Sequence, residues 1–133
     1  MTYVRKPRIY IAGPMRGYPR WNFDAFQAAA ERWEKLGYVP ISPAAVDLAL
    51  GFDPDGPPDQ VDDQFMRGVL FRDAHLLIYE CDAIAMLPGW ETSRGAQFEF
   101  AAASLRDLPV FDAVSGAPLV AALVVDSVAV RTM

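Results

Sequence analysis

Five apolar residues, Ala83-Ile84-Ala85-Met86-Leu87, stop abruptly at Pro88-Gly89. A polar loop follows, and then a small-residue, largely apolar stretch from Gly95 to Leu105. A short apolar run closed by turn residues reads as a buried strand, and the longer stretch reads as a helix. Strand, loop and helix start in this order make one half of a βαβ unit. Ligands of an open parallel sheet bind at such a junction, because strand C-termini and helix N-termini converge there. Ser93 supplies a hydroxyl and Gly95 lets backbone approach a ligand. Free N–H groups at a helix start suit an anion. Glu99 falls one helical turn past Gly95, so its carboxylate can share the same mouth.

The rest of the chain repeats the alternation. Arg8-Ile9-Tyr10-Ile11-Ala12 is a β-branched and aromatic run bounded by Gly13-Pro14 and reads as the first buried strand. The loop from Gly13 to Arg20 leaves the C-terminal end of that strand and belongs at the mouth with Ser93. Asn22 reads as an N-cap, with Asp24 in the first turn. Phe23, Phe26, Ala30, Trp33 and Gly37 keep helical spacing up to a glycine C-cap. Tyr38-Val39-Pro40-Ile41 reads as a second strand, at an edge because of its proline. Ser42 to Asp63 reads as the least ordered stretch, with a proline- and aspartate-rich loop over 53–59 that is either a solvated excursion or a lid. Gln64 to Glu80 reads as a helix, and Pro109-Val110-Phe111 as the next strand. The apolar segment from Ala117 to Val130 fits a helix, a strand or a subunit contact. The pattern predicts one domain over 1–133, with 113–133 as a candidate oligomer-contact tail. Its fold is a three-layer α/β/α sandwich with a parallel, flavodoxin- or Rossmann-like sheet of about four to five strands.

Composition narrows the function classes. A net charge of −5 argues against a partner such as polymeric nucleic acid, although one local site can still attract a small anion. The single cysteine, Cys81, excludes an internal disulfide and suits a reducing compartment. No run is long enough to span a bilayer, and Met1 to Pro7 leads into the first strand without a small-residue cleavage site. A cytoplasmic location and no membrane partner are expected. With one histidine and one cysteine, no metal-ligand pattern is present.

Four side chains stand out for chemistry. Glu99 lies among Phe98, Phe100, Ala102 and Ala103 with no other charge near it, so its carboxylate is expected to be partly buried, and buried charges are kept for a reason. Tyr10 needs a partner for its hydroxyl when buried, and a carboxylate at the neighbouring strand mouth is a natural one. Arg16 lies in the first mouth loop, either as a solvated cation or as a clamp on phosphate. Asp73 falls late in its helix, where an acid opposes the dipole.

Tyr10-Ile11-Ala12-Gly13-Pro14-Met15-Arg16-Gly17, together with Ser93-x-Gly95-x-x-x-Glu99, resembles the nucleoside 2-deoxyribosyltransferase-like superfamily over about Arg8 to Leu105. Among characterised groups the likeness is closest to 2′-deoxynucleoside 5′-phosphate N-hydrolases. The stretch from Cys81 to Ala96 also looks like an uncharacterised deoxyribosyltransferase-like family of phages and bacteria. The resemblance implies that Glu99 is a nucleophile, that Tyr10 orients it, and that Asp73 helps the base leave. It implies that Gly13, Arg16, Gly17, Ser93 and Gly95 bind a substrate carrying a 5′-phosphate. Transferases acting on free nucleosides tend to have an aspartate where Ser93 stands, so Ser93 favours a monophosphate. No metal or cofactor is implied. The expected ligand is a small-molecule nucleotide or nucleoside, and the expected assembly is a homo-oligomer. The expected activity is N-glycosidic cleavage of (deoxy)nucleoside 5′-monophosphates, with base exchange or nucleotide binding without turnover as alternatives.

Overall fold

The computed structural model describes residues 5–119. Strands β1 (Arg8–Ala12), β2 (Val39–Ile41), β3 (Ala83–Met86) and β4 (Val110–Asp112) form one sheet in the order β2-β1-β3-β4. All three pairings are parallel, with Tyr10 opposite Ile41 on one side and Ile84 on the other. The strands are joined by helices α1 (Phe23–Lys35), α2 (Pro43–Ala49), α3 (Asp63–His75) and α4 (Arg94–Leu105). The expected α/β architecture with a parallel sheet is therefore what the chain adopts, with four strands.

Period-2 alternation along β1 explains the layers. Ile9 and Ile11 point to one face, where they meet Phe23, Phe26, Ala29 and Trp33 of α1 and Ala44 of α2. Tyr10 and Ala12 point to the other, where they meet Leu77 and Ala96, Ala102 and Ala103 of α4. Both faces are covered, which is why β3 is apolar at every position. The α1 stripe includes Ala29, which is buried, where spacing had pointed to Ala30. β2 is the edge strand, as Pro40 predicts.

Three departures from expectation have physical causes. Residues 43–49, read as part of the least ordered stretch, are helix α2: the Ser42 hydroxyl accepts from Ala45 N–H at 3.3 Å and Pro43 fills the first helical position. The helix expected over 64–80 changes character at Leu76, where a π-helical turn runs to Glu80. Arg106 closes that turn by donating to the carbonyls of Ile78 (2.8 Å) and Cys81 (3.0 Å). Asn22 stands at the start of α1 but does not cap it; its side-chain amide donates to Pro14 carbonyl at 2.8 Å. Beyond β4 the chain returns antiparallel, with Asp112 N–H on Ala117 O and Leu119 N–H on Val110 O, both at 2.8 Å. Most of the 113–133 tail lies outside the described residues. No described helix is long and apolar enough to cross a membrane.

Candidate active site

β1 and β3 are neighbours, yet their connections run to opposite sides: β1 leads to β2 at one edge and β3 to β4 at the other. This is the switch point of a doubly wound sheet, where the loops after the two strands part and leave a crevice. The loops that meet there are 13–22 and 87–93. They touch directly, because Pro14 and the Tyr18 hydroxyl crowd the α-carbon of Gly89.

Tyr10 lies in the middle of β1, two residues before the strand's end. β1 continues past it through Ile11 and Ala12 in register with β3. Its fully buried ring points toward α4, and its hydroxyl donates a hydrogen bond to Glu99 Oε2. Glu99 sits a turn and a half into α4, between the sheet and solvent. Its residue surface is partly open, but its carboxylate is largely desolvated. Burial pushes the Glu99 carboxyl up to about 8, and the nearby Asp73 charge adds to this, while the Tyr10 hydrogen bond opposes it. Burial and the two acids hold the Tyr10 phenol neutral, well above its ordinary range.

Asp73, on α3, is buried, and burial raises its carboxyl to about 6 against the pull of Arg72. Arg72 Nε (2.9 Å) and Nη2 (2.7 Å) both hold Asp73 Oδ1. Arg72 Nη1 reaches Asp47 Oδ1 of α2 at 2.8 Å, an ion pair whose angle falls short of a directed hydrogen bond. One guanidinium therefore serves two buried carboxylates. Among the described residues, no side chain or backbone group bonds Asp73 Oδ2 or Glu99 Oε1.

The remaining expected residues divide in two. Ser93 is the N-cap of α4: its Oγ accepts from Ala96 N–H at 3.2 Å, so its own O–H remains free to donate. The N–H groups of Arg94 and Gly95 make no backbone hydrogen bond among the described residues. Arg16 is exposed and has no ion-pair partner among them. Ser93 and these N–H groups thus lie at the end of the β3 loop, and Arg16 on the β1 loop. Gly13 has a packing duty instead: a Cβ there would lie 2.6 Å from Leu87 Cβ. Gly17 is required by its backbone, at φ +85°.

The sequence reading singled out neither Asp47 nor Arg72 for chemistry. Asp47 was legible only through the helix signal Ser42-Pro43. The 51–63 excursion packs by Phe52 against Trp21, Phe23 and Phe65, and Asp55 pairs with Arg20. A shallow apolar depression of about 310 Å³, lined by Ile78, Phe98, Ala101, Ala102, Leu105 and Arg106, lies apart from Tyr10, Asp73 and Glu99. Among the described residues no three His, Cys, Asp or Glu side chains cluster to hold a metal.

Comparison with known families places residues 7–112 in the family described as Domain of unknown function (DUF4406). No curated protein matches the chain. The chain belongs to the DUF4406 family.

Proposed function

We propose that this member of the DUF4406 family is an N-glycosidase acting on (deoxy)nucleoside 5′-monophosphates. The observation that carries the reading is the buried Tyr10–Glu99 pair beside Asp73, at the sheet's switch point. In this reading a Glu99 carboxylate oxygen attacks the anomeric carbon as the N-glycosidic bond breaks. The base leaves with the bonding electron pair and takes a proton from Asp73. Water then attacks the same carbon while ionised Asp73 takes its proton, and the glycosyl ester bond breaks to give sugar 5-phosphate, ionised Glu99 and protonated Asp73. Tyr10 donates to the ionised form of Glu99 and holds its rotamer.

Two carboxyls with raised proton affinity share one proton over the range between about 6 and 8. The more basic Glu99 holds that proton most of the time; the productive arrangement, with Glu99 ionised and the proton on Asp73, is the minor form, which the Tyr10 hydrogen bond favours. Ser93 O–H, the N–H groups of Arg94 and Gly95, and the Arg16 guanidinium would hold the phosphate. The same reading includes self-association, through the apolar surface that Phe98 and Leu105 leave exposed on α4.

The test is base release, resolved by chromatography, from a panel of nucleosides and their 5′-monophosphates. Release from monophosphates is expected, with Arg16→Ala losing ~10-fold or more in kcat/KM on monophosphates and little on nucleosides. A new nucleotide formed on adding a second free base would make the protein a transferase. No base release by folded protein would overturn the reading in favour of binding alone.

A further inference from the structure

Arg72 is the only cation that the described structure places on Asp73, and it is shared. Both of its partners are almost fully enclosed: Asp47 is 6% exposed and Asp73 8%. The guanidinium grips Asp73 by one oxygen only, through Nε and Nη2, while Nη1 turns to Asp47. A guanidinium paired to a single carboxylate tends to bind both oxygens side by side. Here both groups of that side-on edge converge on Oδ1 while the second acid takes the remaining nitrogen, and Asp73 Oδ2 keeps no bond among the described residues. α2 makes this contact possible: Ser42 and Pro43 start it, and Asp47 stands at its fifth position, facing inward while Leu48 and Ala49 face out.

We propose that Asp47 is a positioning residue that anchors the Nη1 end of Arg72 and shares the guanidinium's charge, and so keeps Asp73 free to carry and deliver a proton. The charged and titratable groups that face Asp73 are Arg72 on its own helix, Asp47 on α2, Glu99 on α4 and Tyr10 on β1. Of these, Arg72 draws the proton off, and Asp47 offsets it by its own negative charge. Removing Asp47 leaves Arg72 wholly to Asp73, which then loses its proton at lower pH. The role of Asp47 in catalysis rests on the N-glycosidase reading; its hold on the Asp73 proton does not.

The experiment follows the Asp73 carboxyl by carbon-detected NMR titration in wild type, Asp47→Asn and Asp47→Glu, alongside kcat and KM for base release across pH. Asparagine keeps the shape and leaves Arg72 paired, so the variant folds without an orphaned charge. In Asp47→Asn the Asp73 midpoint is expected to fall by about one unit. The acid limb of the rate profile should move down with it. The maximal kcat should drop ~10-fold at unchanged KM, because the form with the proton on Asp73 becomes that much rarer. Asp47→Glu, which keeps the charge, should restore the midpoint. An unchanged or raised Asp73 midpoint in Asp47→Asn would overturn the proposal and leave Asp47 as a support for α2. Should wild type release no base, the glycosidase reading fails, and the titration still decides what Asp47 does.

Discussion

At the scale of single residues the site is a problem in proton placement. Glu99 is costly to the fold: its carboxyl holds a proton more tightly in the native state, about 8, than in an unfolded chain near 4.5. The sign follows from linkage. A raised acid costs nothing at pH values below the unfolded value, where both states are protonated. Stability is lost as pH climbs from about 4.5 to 8, because ionisation then favours the unfolded chain. Glu99→Gln keeps the hydrogen-bonding shape and removes that cost. The variant should melt ~4 °C or more above wild type at pH 8 and within error of it at pH 4, as scanning calorimetry would show. A variant less stable than wild type at pH 8 would mean that the Tyr10–Glu99 bond stabilises more than burial costs. This trade of stability for a buried carboxylate is what a reactive group leads one to expect.

At the scale of elements, two loops and two helix starts build the crevice. The β1 loop can reach the β3 loop only because Gly13 has no side chain. Gly13→Ala forces its Cβ against Leu87 and should cost ~1–3 kcal/mol in urea unfolding. Combined with Leu87→Gly the two costs should be less than additive, since the second change removes the Cβ that the new methyl meets. Strict additivity would show that Gly13 is needed for something else. Beyond this loop, Arg20, Trp21 and Asn22 all adopt positive φ (51°, 56° and 62°), a left-handed turn that costs L-residues ~1–2 kcal/mol each. It is held by Arg20 on Asp55 and Asp24, Trp21 on Phe52, and Asn22 on Pro14. No local pattern in the sequence signals this turn, because its partners lie up to 35 residues away. β1 and β3 were legible because their apolar runs ended at Gly-Pro and Pro-Gly. α1 and α4 were legible because their buried residues recur at helical spacing. α2 was not, since Pro40 and Pro43 read as breakers although Pro43 opens a helix. Tyr10, Asp73, Ser93 and Glu99 could be named from residue type and position, whereas the Asp47–Arg72–Asp73 chain depends on packing between α2 and α3.

At the scale of the whole molecule, the sheet separates two duties. One face packs α1 and α2 into an aromatic core around Trp33, whose indole N–H donates to Ala113 carbonyl at 3.0 Å. The other face holds the Tyr10–Glu99 pair beneath α4, and the outer side of that helix leaves two large apolar side chains in the open. Phe98 is 51% exposed and Leu105 87%. In the proposed homo-oligomer this surface is the contact, so Leu105→Asp should lower the mass measured by light scattering without lowering the melting temperature of the subunit. A wild-type protein that elutes at 14.7 kDa across micromolar concentrations would contradict self-association. The central claim, that Glu99 bonds to the sugar, is tested most directly by quenching turnover of a deoxynucleoside 5′-monophosphate in acid and weighing the intact protein and its peptides. The account predicts a transient adduct of one sugar phosphate on the peptide carrying Glu99, absent in Glu99→Gln. Turnover with no adduct there, or an adduct on another residue, would contradict it.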